Sequence, residues 1–281
     1  MESELPGPPR NIYIYYIEGI VSDREEKFLG PDFMGNWVED SSSFLFFSAP
    51  AQEAVRRVVL HNPRLRLADS YTFAYEEWQG ANFEELRIGS FVIQPAWSKA
   101  SGDLEDGIPI VLDPGVVFGS GIHPTTGDCL RALEWIRGRE AFRSVLDLGT
   151  GTGILSIAGV LLGADRAKAL DLNPLCVKTS HANVRLNHCE SRVEVVHGSA
   201  LDAAEDPADV VVANIHHRVL SELIARAGFR QRRWLVLSGL LRSQARDIKD
   251  ALARHGLKLV REWDHDMTWY TLVARHPDFV N

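Results

Sequence analysis

The stretch Ser144-Val-Leu-Asp-Leu-Gly-Thr-Gly-Thr-Gly153 joins a short apolar run to a turn with glycine at every second position. A run of this length and composition reads as a buried strand, and Ile154–Leu162 after it reads as a helix that stops at Gly163. Ala167–Leu170 follows as a second strand, with Asp171 at its carboxyl end. Pro174 opens a helix that runs to about Asn187, because proline suits the first helical turn. Val193–Val196, Asp209–Ala213 and Trp234–Leu237 supply further strands, and Leu259–Trp263 with Trp269–Val273 a closing hairpin. Alternating strands and helices after Ser120 predict a doubly wound parallel α/β sheet.

Upstream the pattern changes. Asn11–Glu18 is a β-branched and aromatic strand, Ser22–Leu29 a short helix, and Glu39–Ser43 a turn between Trp37-Val38 and Phe44–Phe47. Helical spacing over Ala51–Leu60 and alternation over Arg64–Leu67 complete a βαββαβ order, which predicts a small ferredoxin-like α+β domain over residues 1–72. Phe73–Leu86 is acidic and aromatic and reads as a connecting helix within a linker over 73–94. Phe91–Ile93 is a short strand at the end of that linker, and the larger domain then spans 95–281, with a polar loop over Ser98–Gly107 and a short strand at Ile108–Leu112.

The 281-residue chain is 45% hydrophobic and 24% charged, which excludes disordered, collagen-like and coiled-coil classes. It holds no apolar run long enough to span a membrane, and its acidic first residues do not resemble a signal peptide. Three cysteines without Cys-x-x-Cys spacing argue against a disulfide framework, so a cytoplasmic location is expected. A net charge of −8 predicts no sequence-specific nucleic-acid binding. Arg226, Arg230, Arg232 and Arg233 read as a solvated helix end.

The chemistry concentrates at the glycine turn. Gly149, Gly151 and Gly153 are expected to let a nucleotide approach the backbone, and the helix start to aim free N–H groups at a negative ligand group. Asp171, 22 residues past Gly149, suits hydrogen bonds to ribose hydroxyls. A tight turn with a surface aspartate is the plain alternative. The dinucleotide pattern Gly-x-Gly-x-x-Gly fits in neither register, since Ile154 or Ser156 falls where its last glycine belongs. Asn214 follows the fourth strand, where a polar side chain can meet both a cofactor and a nucleophile; capping the next helix is its other reading. Asp113–Thr126 is a shaped loop leading into a helix, with Thr125 or Thr126 as its cap.

Asp147-x-Gly-x-Gly-x-Gly resembles the first motif of class I S-adenosylmethionine methyltransferases. Together, Asp113-Pro-Gly-x-x-Phe-Gly-x-Gly-x-His-Pro-Thr-Thr126, Leu146–Leu155, Asp171-Leu-Asn-Pro174, Val212-Ala-Asn-Ile215 and Ser238-Gly-Leu-Leu241 resemble the PrmA family of bacterial methyltransferases acting on protein eleven of the large ribosomal subunit. The resemblance implies a Rossmann-like seven-stranded class I methyltransferase sheet behind a ferredoxin-like substrate-recognition domain. It implies S-adenosylmethionine as cofactor, with Thr126, Asp147, Gly149, Gly151, Gly153, Asp171 and Asn214 around it, and Asn214 beside the reacting amine. The acceptors it implies are lysine and N-terminal amines of that ribosomal protein. His216 and His217 depart from the family pattern and bear on the substrate. No metal site is expected: Cys176, His181, His188 and Cys189 match no zinc spacing. A methyltransferase of another protein, of RNA or of a small molecule uses the same scaffold, as does a silent cofactor-binding module.

Overall fold

The computed structural model describes residues 7–98 and 107–279; the acidic first residues and nearly all of the Ser98–Gly107 loop lie outside them. The N-terminal elements are β1 (Asn11–Glu18), α1 (Asp23–Glu26), β2 (Phe33–Glu39), β3 (Ser42–Phe47), α2 (Gln52–His61) and β4 (Arg66–Ala74). Their antiparallel sheet has the order β2-β3-β1-β4, the ferredoxin-like arrangement read from the sequence. Glu25 starts α1 by accepting from both the N–H and the hydroxyl of Ser22, at 2.8 and 2.7 Å.

Strand β1 is apolar in both phases because both faces of its sheet are used. Tyr15 and Ile17 pack with Leu45, Phe47, Val55 and Val58 beneath α2. Ile12 and Ile14 pack the other way, with Phe46, Tyr75, Val117 and Leu175. That second cluster is the seam to the larger part of the chain.

The connecting segment differs from expectation. Strand β4 continues to Ala74, and only α3 (Tyr75–Gln79) is helical. The cause is tertiary: Phe73 and Tyr71 lie opposite Ile12 and Ile14, so pairing along the whole of β1 outweighs the helical composition. Next come β5 (Leu86–Ile88), β6 (Phe91–Pro95) and β7 (Ile108–Leu112), a three-stranded sheet against α4 (Pro124–Arg137).

The rest is β8 (Ser144–Leu148), α5 (Ile154–Leu161), β9 (Arg166–Asp171), α6 (Pro174–Leu186), β10 (Val193–His197), β11 (Val210–Asn214), α7 (His217–Ala225), α8 (Ala227–Arg230), β12 (Trp234–Leu241), α9 (Arg242–Arg254), β13 (Lys258–His265) and β14 (Trp269–Arg275). They form the expected seven-stranded sheet in the order β10-β9-β8-β11-β12-β14-β13. Neighbours from β10 to β12 are parallel, and β14 runs antiparallel to both β12 and β13. The order reverses between β8 and β11, so a crevice opens at the carboxyl ends of these strands.

The arginine cluster is less solvated than its charge suggests. Arg232 is buried, donating to the carbonyls of Gly228 and Ala204 at 2.7 and 3.0 Å. Arg233 pairs with Glu140 and Asp209, while Arg226 and Arg230 donate to Leu201, Ile224 and Ala225 carbonyls. These guanidiniums close backbone acceptors at the ends of short elements.

Candidate active site

The glycine turn follows β8, beside the reversal point, and packs against the carboxyl end of β9. Gly149, Gly151 and Gly153 all have positive φ, at 73°, 55° and 86°. A Cβ at Gly151 would run into the Phe118 carbonyl oxygen, and one at Gly149 into Cγ2 of Ile215. At Gly153 it would stand 2.5 Å from Ser180 Oγ. The glycines are therefore required by the protein's own close packing, besides any approach of a ligand.

The turn's own N–H groups are already bonded within the protein. Those of Gly149 and Thr150 both donate to Leu170 O at 2.9 and 2.8 Å, that of Thr152 to Phe118 O at 3.2 Å, and that of Gly153 to Thr150 O at 2.9 Å. Gly151 N–H donates to Asp171 Oδ2 at 3.0 Å. Asp171 Oδ1 accepts from Asn173 N–H at 2.9 Å, so its carboxylate is held at both oxygens on the rim of the crevice.

Asp147 lies fully buried under the turn. Its Oδ2 accepts from Thr150 Oγ1 at 2.6 Å and from Ser156 Oγ and N–H at 2.9 and 3.2 Å, while Oδ1 has no protein partner. Burial pushes its pKa up to about 6 against these hydrogen bonds, and Asp171 adds to the rise. Thr150 and Ser156 escaped the sequence reading; the only signal for them is their proximity to the glycines.

The Asp113–Thr126 loop folds over the turn. Besides the Phe118 bond, Thr152 Oγ1 donates to Gly119 O at 2.7 Å. Asn183, buried on α6, was also missed. It accepts from Asp113 N–H at 2.9 Å and donates to Asp113 O and Thr152 O at 3.0 and 2.9 Å. One turn on, Asn187 makes the matching pair of bonds to Val111. Two asparagines at this spacing complete the open edge of β7 and tie it to the glycine turn.

Helix α4 begins differently from the sequence reading. His123, not a threonine, is its N-cap, and Thr125 and Thr126 lie buried in the first turn. His123 Nδ1 lies 2.8 Å from Thr125 Oγ1 and accepts from Thr125 N–H at 3.4 Å. Asn214, at the end of β11, donates from Nδ2 to the same Thr125 hydroxyl at 3.2 Å. Asn214 is not a helix cap; His216 caps α7, accepting from Arg218 N–H at 3.4 Å. Burial lowers the His123 pKa and His265 lowers it further, both in favour of the uncharged imidazole. Thr126 Oγ1 is buried without a partner.

The sheet order, the glycine turn and the polar ends of β8, β9 and β11 define a Rossmann-like class I methyltransferase fold. The chain belongs to the PrmA family, described as ribosomal protein L11 methyltransferase, whose profile matches residues 55–277. The ribosomal protein L11 methyltransferases of Staphylococcus aureus strains MRSA252 and JH1 are each 37% identical over 202 residues. That match takes in 71% of this chain, which spans 64% of the length of those relatives. A solved structure of ribosomal protein L11 methylase from Lactobacillus delbrueckii subsp. bulgaricus superposes with a TM-score of 0.62 at 27% identity, over 69% of this chain and all of that one. Among the described residues no helix is long and apolar enough to cross a membrane.

Proposed function

We propose that the protein transfers methyl groups from S-adenosylmethionine to amines of ribosomal protein L11 in the cytoplasm. The observation that carries the reading is the hydrogen-bonded chain Asn214–Thr125–His123 at the switch point of a PrmA-family chain, beside a buried acid with one free oxygen. The residues fit the cofactor's polar groups. Asp147 Oδ1 and Thr126 Oγ1 are buried oxygens without protein partners, and Asp147 has a lone pair left for a cationic group. Asp171 stands on the rim with both oxygens already oriented by backbone N–H groups, each able to accept again from a sugar hydroxyl.

When bound, the cofactor supplies an electrophilic methyl group on a sulfonium, so the protein's task is alignment and exclusion of water. Asn214 Oδ1 remains to orient an amine while Nδ2 is held by Thr125. Burial disfavours a positive charge on His123 that would oppose an incoming ammonium, and the loop that carries it packs over the turn. A lysine loses its proton on entering such a desolvated site, because burial disfavours the charged form. Asn214 is the residue assigned to the reacting amine, with residues 1–72 assigned to recognising the substrate. A polypeptide suits the neighbouring cleft better than a nucleic acid, since no Lys or Arg is among the described residues that line it.

The test is the intact mass of purified ribosomal protein L11 incubated with this protein and S-adenosylmethionine. Steps of about 14 Da, lost with Asp171→Ala, are expected for successive methyl transfers. No step from a protein that still binds the cofactor would refute the acceptor and leave a silent binding module or another substrate.

A further inference from the structure

The face of the N-terminal sheet turned away from α2 is not fully covered. Between it, α3 and the Asp113–Thr126 loop lies an open cleft of about 800 Å³. Trp37, Phe44, Phe46, Tyr71 and Phe73 of the N-terminal sheet line it together with Trp78 of α3. Its far end is formed by Phe118, Gly119 and His123, so it leads to the Asn214–Thr125–His123 chain.

The rings meet at angles. Phe46 and Phe73 stand 5.3 and 6.0 Å from Trp78, with interplanar angles of 64° and 50°. This is a corner, and Trp78 is pinned in it by donating from Nε1 to Val116 O at 3.0 Å. Tyr71 and Trp78 remain exposed, at 42% and 37%. The cleft's charge points one way: Glu39 is the acid in its lining, and among the described lining residues there is no Lys or Arg. Aromatic faces and a carboxylate without a competing cation attract a cation. A primary ammonium is strongly hydrated and loses more on entering such a cleft than a methylated one, whose charge is spread under an apolar surface.

We propose that this cleft is a cation–π site for the ammonium end of a polypeptide side chain, and that it binds that end more tightly as methyl groups are added. The identity of the ligand rests on the amine methyl-transfer reading above; its binding does not. A partly methylated side chain held here stays beside His123 and Asn214 between transfers, which favours repeated modification of one amine.

The experiment titrates the full chain, without cofactor, against three probes while following tryptophan fluorescence. The probes are N-acetyl-Nε-trimethyl-lysine methylamide, its neutral isostere with carbon in place of the quaternary nitrogen, and N-acetyl-lysine methylamide. The trimethylated probe is expected to bind roughly fivefold more tightly than either of the others, the size of a partly exposed cation–π contact. Phe73→Leu and, separately, Trp37→Leu should each erase most of that preference while cofactor affinity holds. Equal binding of the charged probe and its isostere would overturn the proposal in favour of a plain apolar groove. Tightest binding of the unmethylated probe would overturn it in favour of recognition by Glu39 alone, and no binding would remove the site. If L11 gains no mass while the trimethylated probe still binds selectively, the methyl-transfer reading fails and this one stands. Mass gain without probe selectivity is the reverse.

Discussion

The glycine turn and the aromatic cleft lie on either side of the same loop, Asp113–Thr126, and are built on opposite principles. At the turn nearly every polar group already has a protein partner, and three glycines are enclosed by Ile215, Phe118 and Ser180. In the cleft apolar rings are left partly in water. The first region holds one shape, since hydrogen bonds in a buried network strengthen one another and are costly to break. The second keeps apolar area in reserve for a partner, as uncovered patches of this kind do. The loop belongs to both, tied to the turn through Thr152 and Asn183, and to the N-terminal part through Tyr75 and Gln79, which both donate to Gly115 O.

If the turn is the rigid side, the largest effect should come from Asn183→Ala. It strips three bonds from a fully buried site and should cost about 4 kcal/mol of stability, read from denaturant midpoints. A loss under about 1 kcal/mol would show that the loop is not anchored there.

The pH response of Asp147 sharpens the comparison. With its folded pKa raised to about 6, the folded state binds this proton more tightly than the unfolded chain does. Stability should therefore fall by about 3 kcal/mol as pH rises from about 4 to 6, and level off above; Asp147→Asn should flatten this slope in thermal melts. Affinity for S-adenosylmethionine, measured by calorimetry, should run the other way and weaken below about pH 6, where the carboxyl is protonated. Parallel trends would mean that Asp147 does not face the cofactor's ammonium.

Asn214→Ala should lower kcat about 100-fold while cofactor affinity changes far less, because its assigned role is alignment. An equal loss in both would make it a cofactor contact only. Trp78→Phe should have the smallest effect. It removes one bond to Val116 O but leaves an aromatic ring in the corner, costing about 1 kcal/mol and leaving the turn unchanged. A larger loss would make α3 part of the rigid side.

Much of this was legible in one dimension. The strand–glycine turn–helix unit, Asp171 at a strand end and Pro174 at a helix start are local consequences of spacing and backbone preference, and they stand where the sequence puts them. The N–H groups of the turn itself are taken, because Leu170, Asp171 and Phe118, distant in sequence or on the next strand, reach them first. His123 displaced the threonines as the cap of α4 for a similar reason, its ring being fixed against Phe118 and Trp269 as well as Thr125.

What the sequence determined by itself was the periodic part: which runs become strands or helices, where glycine permits the turn, and which family the motifs resemble. These depend on the nearest few residues and on the chain's own stereochemistry. Tertiary structure alone decided that β4 outruns its helical composition, that Asn183 and Asn187 replace a missing strand, and that six aromatic residues from four elements share one cleft. Each of these depends on partners tens of residues away. Hydrogen bonds and apolar contacts act through space, and the order of residues along the chain does not specify them until the sheets have packed.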